Sequence, residues 1–278
     1  MPSLSDPVVF AACIAILGAA AGLIAGLFGI GGGIIIVPML AVLFKMRGIL
    51  PDPAIHAAVG VSMMTVVPTS IASFRAHARR GAIESDIVRA WAPAIIIGSL
   101  LGSMAAHTMS GASLTLIFGV FVAAMAAFLG FVPPDLHALT SPPGGAARRV
   151  VAFVIGFFSA LIGIGGGSLT VPTLVLCRSP IHRAIGTASV IGFLISLPAA
   201  LVFLAMQIMR MAAPDDALGT DSIFILELIT FTVLALMTMV TAPVGARLAH
   251  KLPAVKLRRF FAALLAIIAV KMLASGLG

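Results

Sequence analysis

Charge is scarce in this chain. Only 9% of its 278 residues are Asp, Glu, Lys or Arg, 61% are hydrophobic, and the mean hydropathy is +1.21. A soluble domain carries about a quarter charged residues, so a water-exposed globular fold is excluded and a polytopic membrane protein is expected. Tyrosine is absent and tryptophan occurs once, so the aromatic belts that commonly flank a bilayer are thin. The two cysteines, Cys13 and Cys177, both lie in apolar stretches and give no disulfide framework. No basic region precedes the first apolar run, so a cleaved signal peptide is not expected.

What charge there is sums to +8. The Lys and Arg residues cluster in short stretches between apolar segments, as the positive-inside rule requires of a membrane protein. That accounts for the basic balance, and nucleic acid is excluded as a partner.

The chain does have glycine, in two copies of one motif. Gly29-Ile30-Gly31-Gly32-Gly33 is followed by Val37-Pro38 and Leu40, and Gly163-Ile164-Gly165-Gly166-Gly167 by Val171-Pro172 and Leu174. The match extends further. His56-Ala57-Ala58-Val59-Gly60 corresponds to His182-Arg183-Ala184-Ile185-Gly186, and Gly102 with Ala106-His107 to Gly245 with Ala249-His250. The chain therefore divides into a first transmembrane repeat (1–132), a linker rich in Pro and Gly (133–149) and a second repeat (150–278).

Each half carries five apolar segments. In the first they run at about 8–28, 34–44, 54–74, 90–106 and 112–132. In the second they run at about 150–162, 169–177, 184–209, 223–246 and on to 273. The second segment of each half is too short to span as a helix, since a span needs about 20 residues. Pro38 is comfortable only near a helix start, which places that start close to Val37 and leaves the Gly run non-helical.

Loop charge sets the relation between the halves. The stretch after segment three holds Arg75, Arg79, Arg80 and Arg89 against Glu84 and Asp86, whereas its counterpart after segment eight holds Asp215, Asp216 and Asp221. The stretch after segment four is nearly uncharged, and its counterpart holds Arg247, Lys251, Lys256, Arg258 and Arg259. Equivalent loops thus prefer opposite sides of the membrane, which predicts inverted repeats with both termini outside. Lys45 and Arg47 fall on the outer side of this arrangement. The expected fold is an all-α polytopic membrane protein, two inverted five-segment repeats with central Gly-rich broken or re-entrant helices.

Non-helical backbone survives at membrane depth only where protein or a water-filled cavity covers it. Inversion would bring the two Gly runs together near the midplane, each ahead of a short helix whose amides and positive dipole end face the shared space. Such a place suits an anion without a buried cation. The candidate substrate-binding residues are Gly31, Gly32, Gly33, Gly165, Gly166 and Gly167, with hydroxyls from Ser62, Thr65, Ser168, Thr187 and Ser189. Ser62, Thr65 and Thr69 form one polar stripe, and Thr170 follows Ser168. Bare helix packing through small residues is the competing reading of the glycines, and bonds to their own helix carbonyls that of the hydroxyls. A nucleotide site is excluded, because no Lys-Ser/Thr follows either run and no Rossmann unit surrounds it.

His56, His182, His107 and His250 fall near segment ends, where helix-end roles are expected. Glu227, near the start of segment nine, reads either as a proton relay or as a residue placed at the membrane interface. Met206, Met209 and Met211 lack paired His or Cys and read as packing rather than metal handling. No nucleophile–base pair or metal cluster appears, which argues against an enzyme.

The doubled Gly-x-Gly-Gly-Gly with its Val-Pro, five segments per half, and Gly60-Val61-Ser62 leading into a helix resemble the TauE/SafE sulfite exporter family, also described as toluene sulfonate uptake permeases. The resemblance covers essentially the whole chain. It implies a bacterial inner-membrane carrier, an exporter working by alternating access, for sulfite, sulfoacetate or related organosulfonates. An uncoupled anion channel, or a transporter of another small organic anion, is the alternative. The family's Thr-Ser pair stands as Val61-Ser62 here and as Thr187-Ala188-Ser189 in the second half. The implied partners are a small anionic substrate and the lipid bilayer, with a homo-oligomer left open; no cofactor and no metal is called for.

Overall fold

The computed structural model describes residues 7–28, 31–131, 144–211, 220–249 and 254–277. They form ten α-helices: α1 (Pro7–Phe28), α2 (Gly33–Met46), α3 (Pro51–Ala78), α4 (Ser85–Thr108), α5 (Gly111–Phe131), α6 (Gly145–Leu161), α7 (Gly167–Leu176), α8 (Ile181–Met211), α9 (Thr220–Ala249) and α10 (Ala254–Leu277). Among the described residues there is no strand. Among the described residues, six helices are long and apolar enough to cross a membrane. Large apolar side chains are exposed along them, Ile16, Val120 and Val240 among them, so that surface suits acyl chains rather than water. The protein is a multi-pass membrane protein.

The short members are α2 and α7, with 14 and 10 residues. At about 1.5 Å per residue neither covers a hydrocarbon core about 30 Å thick. The sequence expectation for where α2 begins needs correction. It starts at Gly33, not near Val37, so Pro38 is its sixth residue and Pro172 holds the same place in α7. The cause is the cap. Gly32 adopts the left-handed conformation and its carbonyl accepts from the amides of both Ile35 and Ile36, so the first turn closes before the proline is reached.

Other ends also differ from expectation, because polar residues extend helices beyond their apolar cores. Arg75 lies in the last turn of α3, and Arg258 and Arg259 lie in α10. α6 begins at Gly145, within the stretch expected to be linker. Positions 29–30 of the first motif, most of the linker, and Asp215 and Asp216 lie outside the described residues.

Glycines set the helix pairings. On α1, a Cβ on Gly22 would come within 2.6 Å of Thr238 Cα, and one on Gly26 within 1.9 Å of Ala242 O; both numbers rise together, so α1 and α9 run in the same direction. α4 and α6 do likewise, with Gly98 against Phe153 O at 2.3 Å and Gly102 against Phe157 O at 2.1 Å. Such backbone contact is the usual reward of small residues in membrane helices.

α3 and α8 run in opposite directions: Gly60 meets Phe203, and Gly192 meets Ser70. α5 and α10 are opposed as well, Gly119 meeting Leu273 and Gly276 meeting Leu116. Exchanging the two halves of the chain maps these pairings onto one another. α1 with α9 becomes α6 with α4, α2 with α3 becomes α7 with α8, and α3 with α9 becomes α8 with α4. The equivalence reaches single atoms, for Gly245 meets Leu23 O at 2.0 Å just as Gly102 meets Phe157 O. α3 and α8 sit at the centre, and α3 is the most buried of the six long helices.

Candidate functional site

The two Gly runs meet against the middle of α3. A Cβ on Gly31 would lie 3.3 Å from Gly165 Cα and 3.0 Å from Val66 Cγ1; one on Gly165 would lie 3.3 Å from Gly31 Cα. One on Gly33 would lie 2.3 Å from Gly163 O. Gly31, Gly32, Gly163 and Gly166 have φ of 71°, 79°, 74° and 71°, which bulkier residues adopt only with strain. Both short helices thus start at the crossing from a left-handed glycine, Gly32 for α2 and Gly166 for α7.

Helix geometry leaves the first amides of α2, those of Gly33 and Ile34, ahead of its first internal bonds. In α7 the Gly167 amide is taken by Gly165 O at 2.8 Å, and the internal bonds start with Leu169 and Thr170 donating to Gly166 O. The positive ends of two helix dipoles face the same region. Of the described cations, Lys45, Arg75, Arg79, Arg80 and Arg89 are all exposed near helix ends.

The hydroxyls sort by what they do with their single proton. Ser62 Oγ donates across to Gly163 O at 2.8 Å. Thr65 donates to Val61 O at 2.8 Å and Ser189 to Gly186 O at 2.6 Å, each within its own helix. Thr187 is drawn to the α3–α4 turn, where its Oγ1 accepts from the Glu84 amide at 2.9 Å. Two hydroxyls remain. Ser168 and Thr170, at 4% and 0% exposure, have side-chain oxygens with no hydrogen-bond partner among the described residues. The structure therefore brings the Gly runs, Ser62 and the start of α7 together. It ties Thr187 to a turn, and of the expected hydroxyl donors it leaves Ser168 uncommitted.

Sequence reasoning noticed Thr170 and left it out of the site. It also stopped the α3 stripe at Thr69, although Ser73 stands four residues on and is 3% exposed. The carbonyl of Gly163 as the acceptor of Ser62 had no signal in the sequence, since the two are 101 residues apart. His56 works at helix ends: Nδ1 lies 2.8 Å from Asp52 O, and Nε2 lies 3.1 Å from both Ala106 O and Met109 O at the end of α4.

A polytopic helical bundle, with two helix starts facing each other at a glycine crossing in its interior, is the build of a membrane transporter. The family profile described as "Sulfite exporter TauE/SafE" matches residues 14–272, and the chain belongs to that family. It is similar to a probable membrane transporter protein of Haemophilus influenzae, 29% identical over 257 residues that cover 92% of this chain and 96% of that one. A probable membrane transporter protein of Methanocaldococcus jannaschii is 33% identical over 61% of this chain and 63% of its own. The probable membrane transporter protein YunE of Bacillus subtilis is 27% identical over 66% and 74%. No solved structure matches the chain.

Proposed function

We propose that this protein is a secondary transporter that exports small sulfur-containing anions, such as sulfite, sulfoacetate or other organosulfonates, across the bacterial inner membrane by alternating access. The observation that carries the reading is the crossing of the two Gly runs, where two helix starts and the uncommitted hydroxyls of Ser168 and Thr170 offer neutral donors to an anion. Donors without fixed charge hold an oxyanion strongly enough to bind and weakly enough to release. At the crossing the backbones are already in contact, Gly33 against Gly163 O, so an anion enters as the runs part. No bond is made or broken in such a cycle.

The inverted topology is part of the proposal. It is supported by the opposed directions of α3 and α8 and of α5 and α10, and by the parallel pairs α1 with α9 and α4 with α6. Re-entry of α2 is supported at both its ends: Gly32 packs on Ala21 and Ala25 of α1, and the Arg47 guanidinium lies 4.6 Å over the Phe10 ring. The contact of Glu84 with Ser179 groups the α3–α4 turn with the α7–α8 turn, so Arg79, Arg80, Arg178 and Arg183 share one side, as the positive-inside rule asks.

A thermal-shift panel on the purified chain tests the substrate class. Sulfite and sulfoacetate are expected to raise the melting temperature, and amines or divalent cations of similar size are not. Stabilisation by amines or cations, with none by any sulfur oxyanion, would overturn the proposal.

A further inference from the structure

Thr65, Thr69, Ser73 and His77 stand four residues apart on α3 and so share one face. They are 0%, 0%, 3% and 2% exposed. The match of His56 to His182 sets the equivalent row on α8 as Ile191, Ile195, Ala199 and Phe203, which is 0%, 0%, 0% and 7% exposed. Two helices in equivalent places thus bury the same row equally deeply, one with polar and one with apolar side chains. The fold itself does not require the hydroxyls.

The partner helices repeat the contrast at one position, while one turn further along α4 carries Ser99, whose hydroxyl is committed to Ile195 O of α8 at 2.6 Å, where α9 has Ala242. The hydroxyls of Thr69 and of Thr238 on α9 are 2.7 Å apart, whereas the position on α4 equivalent to Thr238 is Ile95, fully buried. Ser73 is the sharpest case. Its hydroxyl is buried with no hydrogen-bond partner among the described residues, although the Thr69 carbonyl is one helical turn away, as the carbonyls bonded by Thr65 and Thr69 are from them. A hydroxyl without a partner is disfavoured in a membrane interior and calls for a reason to be there. The row begins beside Val66, which touches both Gly runs, and leads to the end of α3 where Arg75, Arg79 and Arg80 are exposed.

We infer that the seam between α3 and α9 is the route by which a small oxyanion passes between the glycine crossing and the Arg-bearing end of α3, with the Ser73 hydroxyl donating to it on the way, while the equivalent seam between α8 and α4 is sealed. This rests on the proposed transport of sulfur oxyanions and adds its path. Because α3 and α8 are opposed, Ser73 and Ala199 lie on opposite sides of the crossing.

The first test is thiol accessibility in the full chain with Cys13 and Cys177 replaced by alanine. Ser73→Cys is expected to react with a small anionic methanethiosulfonate, and sulfoacetate to slow that reaction, while Ala199→Cys stays unreactive. Equal reactivity of the two, or reaction at Ala199→Cys alone, would overturn the inference. The second test is Ser73→Ala. Sulfite transport should fall about tenfold or more, the factor for one hydrogen bond to a charged group, with the melting temperature without ligand unchanged or raised. Unchanged transport, or a loss that only follows a lower melting temperature, would overturn it. If the unmodified chain moves no sulfur oxyanion, the transport reading fails, and the seam is then judged by the thiol reactions alone.

Discussion

Ser62 and Ser168 bury the same hydroxyl group, but its removal should have opposite effects at the two positions. Ser62→Ala leaves the buried Gly163 carbonyl without its donor. It should lower stability by about 1–3 kcal/mol, read as a drop in melting temperature. Ser168 has no acceptor to abandon. Ser168→Ala should keep the ligand-free melting temperature and weaken sulfite or sulfonate affinity by about 1.5–3 kcal/mol, measured by titration. Glycine variants are blunter tools here. A Cβ on Gly32 would sit 3.0 Å from Ala21 O at a left-handed φ, and one on Gly166 would meet Ile195 Cδ1 at 2.3 Å, again at a left-handed φ, so strain and lost binding arrive together. The residue types of the site were legible in the sequence because the motif is doubled. Which hydroxyl keeps a free proton was not, since that depends on acceptors supplied by distant segments or by the helix conformation itself.

Among the elements, α1 with α9 and α4 with α6 are held by backbone contact at glycines. Gly102→Val and Gly245→Val occupy equivalent positions with contacts of 2.1 Å and 2.0 Å to a carbonyl oxygen. Both should destabilise the protein by similar amounts, about 1–3 kcal/mol or more. Gly130→Val, where a Cβ meets nothing within 4 Å, should change little. Melting temperatures of the three variants check this. The apolar segments themselves were readable from hydropathy, and their order is the order of the helices. Two kinds of boundary were not. Helix α3 runs past its apolar core to Ala78, taking Arg75 with it, because an amphipathic end can leave the bilayer while staying helical. Helix α2 starts ahead of its proline because a left-handed glycine caps it, and a proline's preference for a helix start says nothing of a cap six residues upstream.

For the whole molecule, loop charge and doubled motifs pointed to opposed halves, which is the topology proposed above. Pairing of α1 with α9, far apart in the chain, was beyond reach, since hydropathy marks which segments are buried in lipid and not which segments touch. The topology has a direct consequence in a chain lacking Cys13 and Cys177. Leu50→Cys, just before α3, and Ile181→Cys, at the first residue of α8, are exposed at equivalent helix junctions. They should be labelled by an impermeant thiol reagent from opposite sides of the membrane, with Ser85→Cys labelled from the same side as Ile181→Cys. Parallel halves would put Leu50→Cys and Ile181→Cys on one side. The central claim, that an anion is carried at the glycine crossing by alternating access, is tested most directly by counterflow. Proteoliposomes holding the full chain and loaded with unlabelled sulfite should take up radiolabelled sulfite faster than empty ones, because a carrier returns more quickly when loaded. Uptake indifferent to internal sulfite would mean a pore, and no sulfite uptake at all would contradict the substrate class.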